Sequence, residues 1–273
     1  MDGKEKGNRR GNYPQKKRDD RRVAPEERVA AEGCIVGRNA VRELLRSGRA
    51  IDKLLVCRGE REGSIVVMVA EAIERGIPVV EVERGKLDFL AGGVPHQGVI
   101  AMAAEKEYVS VDDILEIAKE RGEKPLIVVS DGICDPYNLG AVIRCAEGAG
   151  AHGIIIPKRR NAGLTPAVTK ASAGAIEHMA IAKVPNIAAV IDELKEKGVW
   201  TFAAEAGGTD YASVDFDCPV AIVLGSEGEG VSRLVREKCD MTVSIPMYGK
   251  VNSLNVSTAA AVILYAAAKG QRK

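Results

Sequence analysis

Three stretches carry the residues able to do chemistry. The first is Asp131-Gly132-Ile133-Cys134-Asp135-Pro136-Tyr137-Asn138-Leu139-Gly140, with Arg144 shortly after it. The second is Leu224-Gly225-Ser226-Glu227-Gly228-Glu229-Gly230-Val231-Ser232. The third runs from 245 to 258 and contains Ile245-Pro246-Met247 and Ser253-Leu254-Asn255-Val256-Ser257. Together they offer Asn, Arg, Glu and Ser side chains, with no His, no Cys pair and no metal set. Alternating glycines in the second stretch let the backbone approach a ligand closely. That stretch matches neither G-x-G-x-x-G after a first strand nor G-x-x-x-x-G-K-[ST], so a dinucleotide site and a P-loop are both unsupported. Two acids and no Lys argue against a phosphate cradle. They suit a neutral or cationic ligand, such as a sulfonium or ribose hydroxyls. The third stretch reads equally as a turn with an N-cap, because Ser and Asn are preferred caps. Asn138 and Arg144, six apart, do not share a helix face. They meet only if Asn138 lies in a loop folded back over the helix; otherwise Asn138 is a plain N-cap.

The surrounding elements decide where these stretches sit. From 125 onward the pattern alternates between apolar strands and amphipathic helices. Strands are expected at 126–130, 153–156, 178–182, 200–204, 220–224 and 241–245. Helices are expected at 139–149, 168–173, 187–197, 231–238 and 259–268. Such strands between helices indicate an α/β fold with a mostly parallel sheet covered on both faces. Ligands bind outside the carboxyl ends of strands in such sheets. The three stretches all leave that edge.

Before this lies a small α/β domain at 33–105, with helices at 39–45 and 64–75 and strands at 53–57, 77–82 and 99–103. Arg38, Asn39 and Arg42 stand at a loop–helix junction, either to contact phosphate or as a solvated helix start. His96, in the turn before the last strand, reads as structural. Residues 106–124 form a connector with an Asp-capped helix at 112–119. Residues 1–32 are polar and expected to be disordered. Residues 1–22 carry nine Lys/Arg against four acids, a charge of +5. This tail is an electrostatic arm for RNA phosphates or a solubilising extension.

The whole chain bounds the rest. Its 273 residues, 46% hydrophobic and 28% charged, suit one or two soluble globular domains. Aromatics at 4% speak against a broad base-stacking platform. Six scattered cysteines without a C-x-x-C pair read as reduced thiols of a cytoplasmic protein. The longest apolar run, 259–268, is too short to cross a bilayer. No apolar segment follows the basic start to make a secretory signal.

The three ordered motifs resemble those of the SpoU/TrmH family, RNA ribose 2′-O-methyltransferases of the SPOUT superfamily. They are Asp135-Pro136-Tyr137-Asn138-Leu139-Gly140-Ala141 with Arg144, Leu224 to Gly230, and Ile245-Pro246-Met247 with Ser253 to Ser257. Lys170-Ala171-Ser172-Ala173-Gly174-Ala175 also fits. Gly37-Arg38-Asn39-Ala40-Val41 and His96-Gln97-Gly98-Val99 match the ends of the family's substrate-binding domain, which is similar to an RNA-binding ribosomal-protein fold. The resemblance covers 33 to the C-terminus. Within the family the chain looks most like the bacterial type that methylates a guanosine of 23S ribosomal RNA. A transfer-RNA methyltransferase of the same family is the alternative, and a non-catalytic RNA-binding or ribosome-assembly protein a more distant one.

The resemblance implies S-adenosylmethionine as cofactor, no metal, a C-terminal trefoil knot and a homodimer in which the last helix takes part. It places Leu224, Gly225, Ile245, Pro246, Met247, Leu254 and Val256 around the cofactor. It makes Arg144 the residue nearest the 2′-OH, with Asn138 and Glu227 orienting it and the ribose. Ser253 and Asn255 would bind substrate and order the loop. An arginine has a pKa above about 12, so it acts either with an RNA phosphate as base or by stabilising developing negative charge.

Overall fold

The computed structural model of the chain describes residues 30–31, 33–59 and 62–272. The expected tail therefore lies, apart from residues 30 and 31, outside the described residues. Two sheets organise the rest. The first is built from β1 (Cys34–Val36), β2 (Ile51–Cys57), β3 (Val79–Val82) and β4 (Val99–Ala103), in the order β1-β4-β2-β3. Only β2 and β3 are parallel; β4 runs against both its neighbours. Helices α1 (Arg38–Ser47), α2 (Ser64–Glu74) and α3 (Arg84–Ala91) accompany it. α1 buries Ala40, Val41, Leu44 and Leu45, the spacing that puts one helical stripe on the sheet.

Two of these elements were not expected. β1 is three residues long, too short for a period-two pattern to show. α3 buries only Leu87 and Ala91 and has no side-chain cap, so neither stripe nor signal marks it.

Residues 106–124, expected as a connector, hold α4 (Val111–Glu120). Ser110, not an aspartate, caps it: its hydroxyl accepts from the Asp113 N–H while Asp113 accepts from the Ser110 N–H. Ile114 is fully buried and packs across Gly153, where a Cβ would collide with its side chain.

The second sheet has six strands. They are β5 (Leu126–Asp131), β6 (Gly153–Pro157), β7 (Ala180–Val184), β8 (Trp200–Asp210), β9 (Val220–Gly225) and β10 (Met241–Ser244). Their order is β10-β8-β9-β5-β6-β7, and every pairing is parallel. Side chains alternate between faces, and both faces are covered. Val128, Ile154, Ile222 and Leu224 meet α5 (Pro136–Ala149), α6 (Pro166–Ala171) and α9 (Val256–Gln271). Ile127, Val129, Ile155 and Val223 meet α4, α7 (Ile187–Glu196) and α8 (Arg233–Lys238).

β8 runs six residues past its expected end. Gly208 makes this possible: a Cβ there would strike the backbone of Thr242 on β10. The pairing register jumps at that point, Thr242 opposing Ala203 and Val243 opposing Thr209. The expected strand at 178–182 begins later, because Ala175–His178 is a turn of 3-10 helix. No helix among the described residues is long and apolar enough to cross a membrane.

Candidate functional site

β5, β9 and β10 end on one edge, and the three loops leave from there. Asp135 caps α5, its carboxylate accepting from the Tyr137 N–H at 2.9 Å, and Pro136 fills the first helical position. Asn138 is thus neither the N-cap nor a loop residue; it stands in the first turn of α5. At about 100° per residue, Asn138 and Arg144 leave the helix axis about 240° apart. The structure does not bring them together. Arg144 is exposed, with no side-chain hydrogen bond or ion pair among the described residues.

Asn138 has other partners. Its amide N–H donates to Glu227, and its carbonyl oxygen accepts from the Asn255 amide at 3.0 Å. One side chain therefore joins all three loops. Asn255 also caps α9: its Oδ1 accepts from the Ser257 N–H at 2.9 Å and the Ser257 hydroxyl at 2.6 Å. The capping reading of this residue holds, and it stands next to the cavity lining without being part of it.

The second loop is a tight hairpin. Ser226 and Gly230 exchange backbone hydrogen bonds at 3.0 and 3.1 Å, leaving Glu227, Gly228 and Glu229 at the tip. A Cβ on Gly225 would collide with the Gly230 backbone, so only glycine fits there. Asp131 anchors the loop's far end, accepting from the Ser232 N–H at 2.7 Å.

Between these loops lies a cavity of about 400 Å³, within the usual range for small-molecule sites. Leu224, Gly225, Glu227, Ile245, Met247, Ser253, Leu254 and Val256 line it; Pro246, expected beside them, does not. Val256 is the first residue of α9, which starts three residues earlier than expected. The middle of β8 supplies a wall that sequence reasoning missed: Ala204, Glu205 and Ala206. A carboxylate straight after the apolar run 202–204 was the available signal. Glu205 Oε1 accepts from Arg236 at 3.1 Å, while its buried Oε2 has no partner among the described residues.

Arg38 is drawn to Gln97: its Nε donates to the Gln97 carbonyl at 2.9 Å. The Gln97 side-chain oxygen accepts from Lys170 at 2.7 Å, linking the two sheets' units. His96 holds this turn, its Nδ1 accepting from the Gly98 N–H at 3.0 Å while Nε2 meets Asp88 at 3.0 Å. Asn39 is exposed and Arg42 half-buried on α1, away from the cavity wall. No group of His, Cys, Asp or Glu among the described residues is placed to hold a metal ion.

Comparisons with known proteins bear on this arrangement. Residues 125–265 match the SpoU rRNA methylase family, and residues 34–109 match the RNA 2′-O ribose methyltransferase substrate-binding domain. YacO of Bacillus subtilis, assigned to the TrmH family of tRNA/rRNA methyltransferases, is 44% identical over 85% of this chain and 93% of its own length. A relative from Staphylococcus haemolyticus with the same assignment is 47% identical over the same shares. Among solved structures, the SpoU methyltransferase AviRb of Streptomyces viridochromogenes, in complex with AdoMet, superposes with a TM-score of 0.71 at 25% identity. It covers 86% of this chain and 89% of that one. An AdoMet-bound rRNA methyltransferase of Sinorhizobium meliloti gives 0.70 at 26% identity, covering 86% of each chain. The glycine cradle at Gly225 and the partnerless carboxylate oxygen of Glu205 fit a ligand rich in donors, as that cofactor is. The chain belongs to the SpoU/TrmH family of RNA methyltransferases, which use S-adenosylmethionine.

Proposed function

We propose that the chain methylates a ribose 2′-OH in RNA, and that its substrate is a guanosine of 23S ribosomal RNA in the cytoplasm. The observation that carries the reaction is the hydrogen-bonded bridge Glu227–Asn138–Asn255, which ties the three loops around one cavity. The ribosomal substrate rests on the sequence resemblance alone.

S-adenosylmethionine supplies an electrophilic methyl group on a positive sulfur, so the reaction needs no metal. The protein's share is to hold the cofactor, align the ribose and manage charge on the attacking oxygen. Leu224, Gly225, Ile245, Met247, Leu254 and Val256 form the cofactor's wall, with Pro246 shaping the loop from behind. Glu227 and Glu229 set a negative potential at the rim that suits a cation. Asn138 and Glu227 hold the Ser253–Asn255 loop in place and orient the ribose. Arg144, unpaired and exposed, stabilises the developing alkoxide or positions a phosphate that takes the proton. Arg38, Asn39 and Arg42, with residues 33–105, bind RNA; 106–124 joins that unit to the methyltransferase unit at 125–273. The trefoil knot rests on the sequence resemblance alone. So does the homodimer, since most apolar residues of α9 are buried in this chain's own core.

Methylation of total RNA with labelled cofactor, followed by mapping of 2′-O-methyl sites, tests this. Label in 23S RNA at one guanosine is expected. Label in transfer RNA alone would overturn the substrate, and a chain that binds the cofactor but labels no RNA would overturn the reaction.

A further inference from the structure

The loop that follows β6 holds three consecutive cations, Lys158, Arg159 and Arg160. All are exposed, and none has a side-chain hydrogen bond or ion pair among the described residues. Elsewhere in the chain cations such as Arg49, Arg75, Lys124 and Lys195 are paired with carboxylates.

Their backbone is held firmly. Arg160 sits at φ 57°, a conformation that persists in non-glycine residues only where the surroundings enforce it. The enforcing contacts run to the loop leaving β5. Ala162 N–H donates to the Ile133 carbonyl at 2.9 Å, and the Ser130 hydroxyl donates to Asn161 Oδ1 at 2.7 Å. The Arg160 carbonyl lies against Gly132. That same loop opens α5 and leads to Asn138. Its two carboxylates are turned to other partners, Asp131 accepting from the Ser232 N–H and Asp135 capping α5. The triplet thus stands at a fixed place on the carboxyl edge of the sheet, beside the candidate site, exposed and in no ion pair among the described residues.

We propose that Lys158, Arg159 and Arg160 bind the RNA phosphates that flank the target ribose, and so set which nucleotide reaches the site. This inference rests on the reading of the chain as an RNA methyltransferase. RNA binding through phosphates releases counterions, so each contact adds a salt-dependent term to affinity.

The test replaces the triplet in the full chain by Lys158→Gln, Arg159→Gln and Arg160→Asn, since Asn tolerates the left-handed conformation. A second variant carries only the first two changes and leaves the strained position intact. The probe is an RNA that the wild-type chain methylates. The triple variant is expected to bind that RNA at least ~10-fold more weakly at 0.1 M salt. The slope of log affinity against log salt should become shallower by about 2, at about 0.7 per phosphate for single strands. KM for RNA should rise while kcat changes less than about twofold, with cofactor affinity and melting temperature unchanged. The double variant should show about two thirds of the slope change. Unchanged RNA affinity and salt slope in both variants would overturn the inference while leaving the methyltransferase reading intact. A wild-type chain that neither binds nor methylates RNA would overturn that underlying reading instead.

Discussion

In the proposed reaction Asn138 and Arg144 have different tasks. Arg144→Ala should reduce methyl transfer by at least ~100-fold, the order of a lost charge-stabilising group. Calorimetry should find its cofactor affinity within a few fold of wild type; near-normal turnover would sink the assignment. Asn138→Ala acts differently, since it removes both links from α5 to the other loops. It should weaken cofactor binding and turnover together, because the cavity's walls lose their common tie. The residue types and order of this site were legible in the chain before any fold was known. The Glu227–Asn138–Asn255 bridge was not, because it joins residues from three distant loops. The helical setting of Asn138 was also hidden: Asp135-Pro136 is a strong start signal, and reading it as one would have placed Asn138 inside the helix.

Elements position these residues by close approach. Gly140 faces α6, where an added Cβ would lie 2.5 Å from the Ala171 side chain and 2.8 Å from the Val168 carbonyl. Gly140→Ala is expected to destabilise the chain by about 1–3 kcal/mol, the usual cost of overpacking. Urea unfolding measures it; an unchanged midpoint would show that α5 and α6 separate freely. β5 starts at a histidine: the Leu126 N–H donates to His152 Nδ1 at 3.0 Å, and Nε2 meets Glu123 at 2.9 Å. Burial holds the His152 pKa below its ordinary value near 6.5, so the folded state keeps it neutral. Its contribution is therefore complete above about pH 6.5 and is lost as pH falls below that. Stability should drop as pH falls below about 6.5, and less so in His152→Gln. Strands with apolar runs were legible because both faces of a parallel sheet are buried. β1, α3 and the far half of β8 were not. Each depends on a neighbour rather than on its own pattern, as Gly208 against Thr242 shows.

At the scale of the molecule, the two units are held by a buried ion pair. Arg49 of the first donates to Glu177 of the second at 2.7 Å, and the Glu177 side chain is 1% exposed. Burial pushes the Glu177 carboxyl above its ordinary range, against the opposing pull of Arg49 and Lys106. Arg49→Ala would leave that carboxylate with Lys106 as its main remaining cation and without its hydrogen-bonded partner, at a cost of up to about 3–5 kcal/mol. A raised carboxyl pKa means the folded state gains protons, so stability falls as pH rises through that value. The Arg49→Ala deficit in melting temperature should accordingly be smaller at pH 5 than at pH 8. An equal deficit at both would show that Glu177 is not the group left exposed to burial. The all-parallel second sheet was legible as a change of pattern near 125, whereas this contact spans more than a hundred residues and left no local mark.

The strand order also sets a timetable. β5 pairs directly with β9, about ninety residues later in the chain, and the Gln271 amide then closes onto the Pro125 carbonyl at 2.9 Å. On a ribosome, the first sheet can form as soon as residue 103 has emerged. The central strand of the second must wait, apolar and half-paired, until β9 arrives. Non-local parallel pairing of this kind is slow and exposes sticky edges meanwhile. Chains stalled before β9 should therefore yield a protease-resistant first unit joined to a second that chaperones retain.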